Sequence, residues 1–267
     1  MGISPLRFFS LALWVASTSW VPVGCRIADP ATPEWIEAHG RGQIIGIAAD
    51  AEGAFAIGSN RRIYIYPGAY MQPWQERFNQ DALSIAAGGG VVAWAAPDGA
   101  VRVAASNLPV REIAGSRDWR ASALGVGPDG ALFVVSGGRA WAVQSDTLSE
   151  PVCDGGTAAG VAPAGPATYV WRTDGTVVAR SNGQCQPVAV PFAVTSLAVN
   201  GEQLAAVDRQ GTVWRRRAGN WQALPRPRVY RPDQFPYDTT IRAVAMSRTV
   251  LWGRSDDGLA FILSDPT

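Results

Sequence analysis

From Ile44 onward the chain reads as short apolar runs separated by polar or glycine-bearing breaks, and the pattern repeats. Six units can be aligned, opening at Ile44, Leu83, Ser122, Ala158, Val194 and Ile241. Each holds two apolar runs joined by a tight break: Asn60-Arg61, Asp98-Gly99, Gly137-Gly138, Asp174-Gly175, Gln210-Gly211 and Asp257-Gly258. Measured between the second residues of these breaks, the spacings are 38, 39, 37, 36 and 47. Asp-Gly and Gly-Gly supply the positive φ that two-residue hairpins need, so each unit predicts a central hairpin. A strand before it (Ser84 to Ala87 in the second unit) and one after it (Trp221 to Leu224 in the fifth) bring the count to four. Four short strands in about 40 residues predict one blade of a β-propeller.

The runs are apolar on both faces, as in Val91-Val92-Ala93-Trp94. A sheet stacked between two other sheets requires this, whereas a strand wet on one face alternates more strictly. A sandwich or a solenoid is the structural alternative. The last unit has room for only three strands before the chain stops at Thr267. An open edge there would leave a gap in the ring. The segment Glu34 to Glu37, whose Trp35-Ile36-Glu37 resembles the outer segments Trp74-Gln75-Glu76 and Trp221-Gln222-Ala223, is therefore predicted to add as the missing strand. This predicts that Trp35 is buried near Phe261.

Two repeat families are similar to parts of this pattern. Gly183 to Trp214 and Leu83 to Val103 resemble the bacterial form of the regulator-of-chromosome-condensation repeat. Leu204 to Pro225, with its turn, its Val213-Trp214 and its following Trp221-Gln222 and Pro225, resembles a tectonin repeat. Both resemblances imply a propeller, of seven blades in the first family and about six in the second. Six breaks favour six, with seven as the alternative. The chromosome-condensation type commonly carries a His before the turn, and this chain has one His only, His39, outside the repeats. Both resemblances imply recognition of a protein surface or a glycan.

Composition agrees with a globular all-β chain: of 267 residues 47% are hydrophobic and 17% charged, with 29 Gly, 19 Pro and 11 Trp. All 23 basic residues are Arg. Met1 to Gly24 carries Arg7 and no acid, followed by an apolar stretch from Phe8 to Val23, the plan of a secretory signal. The alternative is a buried amino-terminal strand or helix. Without this segment 22 Arg face 22 acids, so no general attraction to nucleic acid or an anionic membrane is expected. Cys25 follows Val23-Gly24 and resembles the lipidated Cys of the bacterial lipobox, departing from it at Pro22. The expected division is a signal at 1–24, a short tether at 25–32 and a propeller at 33–267. Location in the periplasm or outer envelope is expected, with a lipid on Cys25 as the sole membrane link. Cys153 and Cys185 then form a candidate disulfide, with two unpaired core thiols as the alternative.

No catalytic signature is present. One His leaves no His-based metal cluster, and there is no H-E-x-x-H, G-x-S-x-G or P-loop. Gly88-Gly89-Gly90 reads as a turn rather than a phosphate loop, and Asp98, Asp174 and Asp257 as turn residues. No cofactor and no metal are expected. The long last spacing comes from Pro225 to Thr240, which follows Arg215-Arg216-Arg217. Arg226, Arg228, Tyr230 and Arg231 are the ligand-binding candidates, because Arg beside an aromatic suits anionic ligands. A solvated strand with a Pro-stiffened connector is the plainer reading. Trp94, Trp141, Trp171, Trp214 and Trp252 recur near the hairpins, as blade-to-blade packing or, alternatively, as sugar platforms. The expectation is an exported, non-enzymatic binding module of the cell envelope. The alternatives are a carboxylate-dependent hydrolase or lyase at the central funnel and a scaffold subunit of an envelope complex.

Overall fold

The computed structural model describes residues 33–38, 42–51, 53–66, 73–105, 108–248 and 250–264. Cys25, the signal-like segment at 1–24 and His39 lie outside them. Six four-stranded antiparallel sheets form a six-bladed β-propeller, and a separate two-stranded hairpin is inserted between the fifth and sixth. The inner strands are Ile44–Ala49, Ser84–Gly88, Ala123–Val126, Ala158–Ala164, Val194–Asn200 and Ile241–Met246, for blades 1 to 6 in order. Together they line a central channel of about 300 Å³. Apolar side chains on both faces of each sheet fill the junctions between blades, as the two-sided apolar runs require.

All six predicted breaks join the second and third strands of a blade. They also hold the ring in register. An amide at or just before the start of an inner strand donates to the break of the preceding blade at five junctions: Ala82 to Arg61, Ala158 to Gly138, Val194 to Gly175, Ile241 to Gly211 and Ile44 to Gly258. At the sixth, a short 3-10 helix, Ser116–Trp119, replaces this bond, and the Ser116 hydroxyl accepts from the Val101 amide instead. The sequence carried no signal for that helix.

Gly211 shows why these turns need glycine twice over. Its φ is 77°, and a Cβ there would lie 2.5 Å from the Thr240 Cβ of the incoming strand. Gly183, with φ of 76°, has no atom within 4 Å of such a Cβ. Gly183→Ala is therefore expected to cost about 1–2 kcal/mol, the backbone contribution alone. Gly211→Ala should cost at least about 1 kcal/mol more, because the clash is added to the same backbone strain. Equal denaturation midpoints for the two variants would show that the blades do not depend on this close approach.

The ring closes as the strand count predicts. Glu34–Glu37 pairs antiparallel with Ala260–Ser264 as the outer strand of blade 6, with Trp35 opposite Leu263 and Glu37 opposite Phe261. Trp35 is 5% exposed and shares a core cluster with Phe261, Ile241 and Val229.

Pro225 to Thr240 departs from the Pro-stiffened connector of the sequence reading. It forms a β-hairpin, Arg228–Arg231 with Gln234–Asp238. Cys153 and Cys185 are disulfide-bonded, with Cα atoms 5.9 Å apart, joining the exit of blade 3 to the outer strand of blade 4.

Candidate functional site

The junction bonds place the mid-blade turns and the entries to the inner strands on one face of the disc, called here the turn face. At each entry one residue bulges outward: Ile45, Leu83, Ser122, Ala159, Thr195 and Arg242, all exposed. The register slips by one at Ile45, Ala159, Thr195 and Arg242, as expected where an extra residue re-aims a side chain at a sheet end. Ile45 and Leu83 line the mouth of the channel, and half-buried Trp171 lines it from blade 4. The rest of the channel wall is Gly, Ala, Val and other small or apolar residues, with no carboxylate among the described lining residues.

The inserted hairpin stands on this face beside blade 6. Its base is fastened at several points. Val229 and Pro227 are fully buried. Arg231 makes a two-pronged ion pair with Glu37 of the closing strand, at 2.9 and 3.0 Å. The Trp35 indole N–H donates to the Pro225 carbonyl at 2.8 Å. The Tyr237 and Thr239 hydroxyls donate to Asp257 in the turn of blade 6. Burial pushes the Asp257 carboxyl up, but hydrogen bonds from Ser255, Tyr237 and Thr239 outweigh it and hold the group below the usual carboxylate range.

The tip is free of such ties. Phe235 is 95% exposed and Tyr230 51%. The open edge of Gln234–Asp238 is a poor template for another strand. The Thr239 amide points inward, to the Pro227 carbonyl. The register then slips by one between Tyr237 and Gln234, which breaks the even ladder of this edge, and Pro236 within the slip has no N–H to offer. Side chains rather than backbone are what the hairpin offers a partner.

The predicted basic stretch is divided by the fold. Arg216 lines a crevice between blades 4 and 5 with Tyr169, and strand alternation turns Arg215 and Arg217 to the opposite face. Arg231 is engaged by Glu37 and serves the ring closure. Arg228 lies 3.9 Å from Asp238, while Arg226 is exposed with no partner among the described residues. Of the four candidates, Arg226, Arg228 and Tyr230 remain exposed at alternate positions, and Phe235 is exposed on the facing strand of the hairpin. Phe235 was legible only as an apolar residue in a polar loop.

The glycine triplet is a turn packed on its neighbour: Cβ atoms on Gly88 and Gly89 would meet the backbone of Val126 to Gly130 in blade 3. Asp98 and Asp174 accept the amides of Ala100 and Thr176, as turn carboxylates do. The Thr176 amide and hydroxyl hold Asp174 below its usual range. No cluster of potential metal ligands exists among the described residues. Trp94 and Trp252 are buried at blade junctions, where Trp94 stacks on Phe78 and Trp252 meets Tyr66 and Trp74 edge-on.

No known family signature matches the chain, and no curated protein matches it either. Solved structures do. PorZ, described as an essential bacterial surface component of the type-IX secretion system of Porphyromonas gingivalis, is similar over 86% of this chain at 11% identity and a TM-score of 0.52. This chain spans only 38% of PorZ. BBS1N, solved in complex with ARL6DN, is similar over 88% of this chain and 98% of its own at 13% identity, TM-score 0.55. U3-55K is similar over 86% of this chain and 80% of its own at 13% identity, TM-score 0.55. At these identities the likeness shows the fold alone.

Proposed function

We propose that this propeller is an exported, non-enzymatic docking module of the cell envelope that binds a protein through its turn face. The observation that carries the reading is the distribution of exposed apolar side chains. Seven large hydrophobic residues are exposed among the described residues, and five of them, Ile45, Leu83, Tyr230, Phe235 and Tyr237, stand on that one face. Aromatic residues and Arg, abundant on the hairpin, are the types that dominate binding energy at protein interfaces. Export is supported by the signal-like segment at 1–24, with Cys25 as its anchor candidate, and by a disulfide, which persists in oxidising compartments. The similarity to a bacterial surface component and to a propeller-sized chain solved with a protein partner adds to it, as does the resemblance to tectonin repeats. A carboxylate-dependent enzyme would need acids converging on the channel mouth, where the lining is apolar. A glycan platform would need the recurring Trp residues exposed together, whereas Trp94 and Trp252 are buried and Trp141, Trp171 and Trp214 half-buried on separate blades.

The test is photo-crosslinking in the native envelope from a reactive residue placed at 235, compared with one at 108 on the opposite face. A protein adduct is expected from 235 and not from 108. Phe235→Ala should then weaken capture of that same protein about 30-fold, the effect of a hot-spot residue. Its melting temperature should not move, because a residue 95% exposed contributes no packing. Unchanged capture by this variant would remove the hairpin from the interface.

A further inference from the structure

Arg180 and Arg216 occupy the same place in two successive blades. Each stands five residues beyond the glycine of its turn, Gly175 or Gly211, on the third strand of blade 4 or blade 5. Both are half-buried, and both face the preceding blade. Arg180 is satisfied there: Glu150, on the outer strand of blade 3, pairs with it at 2.8 Å. Arg216 is not. Its one bond among the described residues is long, 3.4 Å from Nε to the Gly219 carbonyl. Gln186 of blade 4 stands where Glu150 stands in blade 3, since each is the outer-strand residue directly before a Pro-Val pair. The repeat therefore keeps the arginine and omits its acid. A partly desolvated guanidinium without an acceptor is costly, and its planar fork fits a carboxylate.

The surroundings define what else the acceptor would carry. Arg216 lines a crevice of about 490 Å³. It opens away from the turn face, beside the loops that join the first and second strands of blades 4 and 5. Tyr169 of blade 4 brings a second donor, a half-buried hydroxyl with no hydrogen-bond partner among the described residues. Pro166, Ala167 and Leu204 supply an apolar wall. Glu202, exposed and not paired with Arg216, is the one acid of the described lining. Its charge opposes a second negative charge on a ligand, so a phosphate dianion fits this crevice worse than a single carboxylate does.

We propose that the crevice between blades 4 and 5 binds a small organic monocarboxylate. The carboxylate lies on Arg216, in the role that Glu150 has on Arg180, with the Tyr169 hydroxyl as second donor and the apolar chain against Pro166, Ala167 and Leu204. Partial burial strengthens the charged hydrogen bonds. The site lies apart from the turn face and stands or falls independently of the docking reading.

The probes are hexanoate and its uncharged counterpart hexanamide, titrated into the full chain and followed by backbone amide shifts. Hexanoate is expected to bind about ten-fold more tightly, the equivalent of one charge-assisted hydrogen bond, and to shift signals at Tyr169, Leu204 and Arg216. Arg216→Gln should abolish the preference. Gln186→Glu should abolish it too, because it supplies from blade 4 the carboxylate that Glu150 supplies from blade 3. This variant keeps Arg216 in place, so it decides the matter even if Arg216→Gln fails to fold. Inorganic phosphate should not displace hexanoate at equal concentration. Equal affinities for the two probes, no hexanoate binding at millimolar concentration, a preference that survives either variant, or displacement by phosphate would overturn the proposal. The crosslink from 235 reads the other face of the ring, so its result leaves this one unchanged.

Discussion

Trp35→Ala is expected to lower the free energy of unfolding by about 3–5 kcal/mol, the range for removing a large aromatic side chain from a packed core. The residue is 190 or more positions from most of what it touches. Its ring packs with Phe261, Leu263, Ile241 and Val229, and a Cβ on Gly253 would fall 3.0 Å from it. Its N–H satisfies the Pro225 carbonyl at the root of the inserted hairpin. The variant thus empties the core of blade 6, frees the closing strand and loosens the hairpin. Trp35→Phe should cost less, since it retains most of the apolar area and loses the hydrogen bond, worth about 1 kcal/mol. Glu37→Gln, which weakens only a half-exposed ion pair with Arg231, should fall within about 1 kcal/mol. Urea denaturation of the three variants checks the order. A loss below 1 kcal/mol in Trp35→Ala would mean that the ring does not depend on this strand.

Removing the disulfide is the second large effect. Cys153 and Cys185 are 32 residues apart in sequence, and opening a loop of that length should destabilise by roughly 3–4 kcal/mol through the greater freedom of the unfolded chain. The double variant Cys153→Ser, Cys185→Ser should therefore melt about 10 °C lower than the oxidised protein, given how melting temperature responds in chains of this size. Reduction of the wild type should reproduce the shift. The bond crosses between blades 3 and 4, on the far side of the ring from the closing strand in blade 6. Its loss should add to that of Trp35→Ala, because the two sites share no neighbours. Free thiols in protein taken from an oxidising compartment, or a melting temperature insensitive to reduction, would contradict this.

Most of the fold was legible because its code is local. Each of these turns is marked by a residue at positive φ in the second position of its break, and a buried strand by a few consecutive apolar residues, so six units could be counted without any knowledge of their neighbours. The closing strand was also legible, since the last unit was one strand short and Trp35-Ile36-Glu37 looked like the outer segments elsewhere. The 3-10 helix at Ser116–Trp119 was not, because Ser116 acts there through a hydrogen bond to Val101, a partner outside its own segment.

The site divides along the same line. Sequence alone picked out Pro225 to Thr240 as the place where the repeat is interrupted, and Arg226, Arg228 and Tyr230 within it. It could not separate Arg231 from them, because Glu37, which binds it, is 194 residues away and is brought near only by ring closure. Nor could it tell that Phe235 stands in solvent while Val229, in the same short hairpin, is fully buried. A strand's pattern states which residues share a face, but which face meets the protein is decided by where the strand lands. Arg254 is the furthest case: nothing in the sequence marks it, and its Nε is buried without a hydrogen-bond partner among the described residues while Arg242 holds Asp256. Turns, strands and their number belong to the sequence; partners, exposure and the composition of the turn face follow from closing six sheets into one ring.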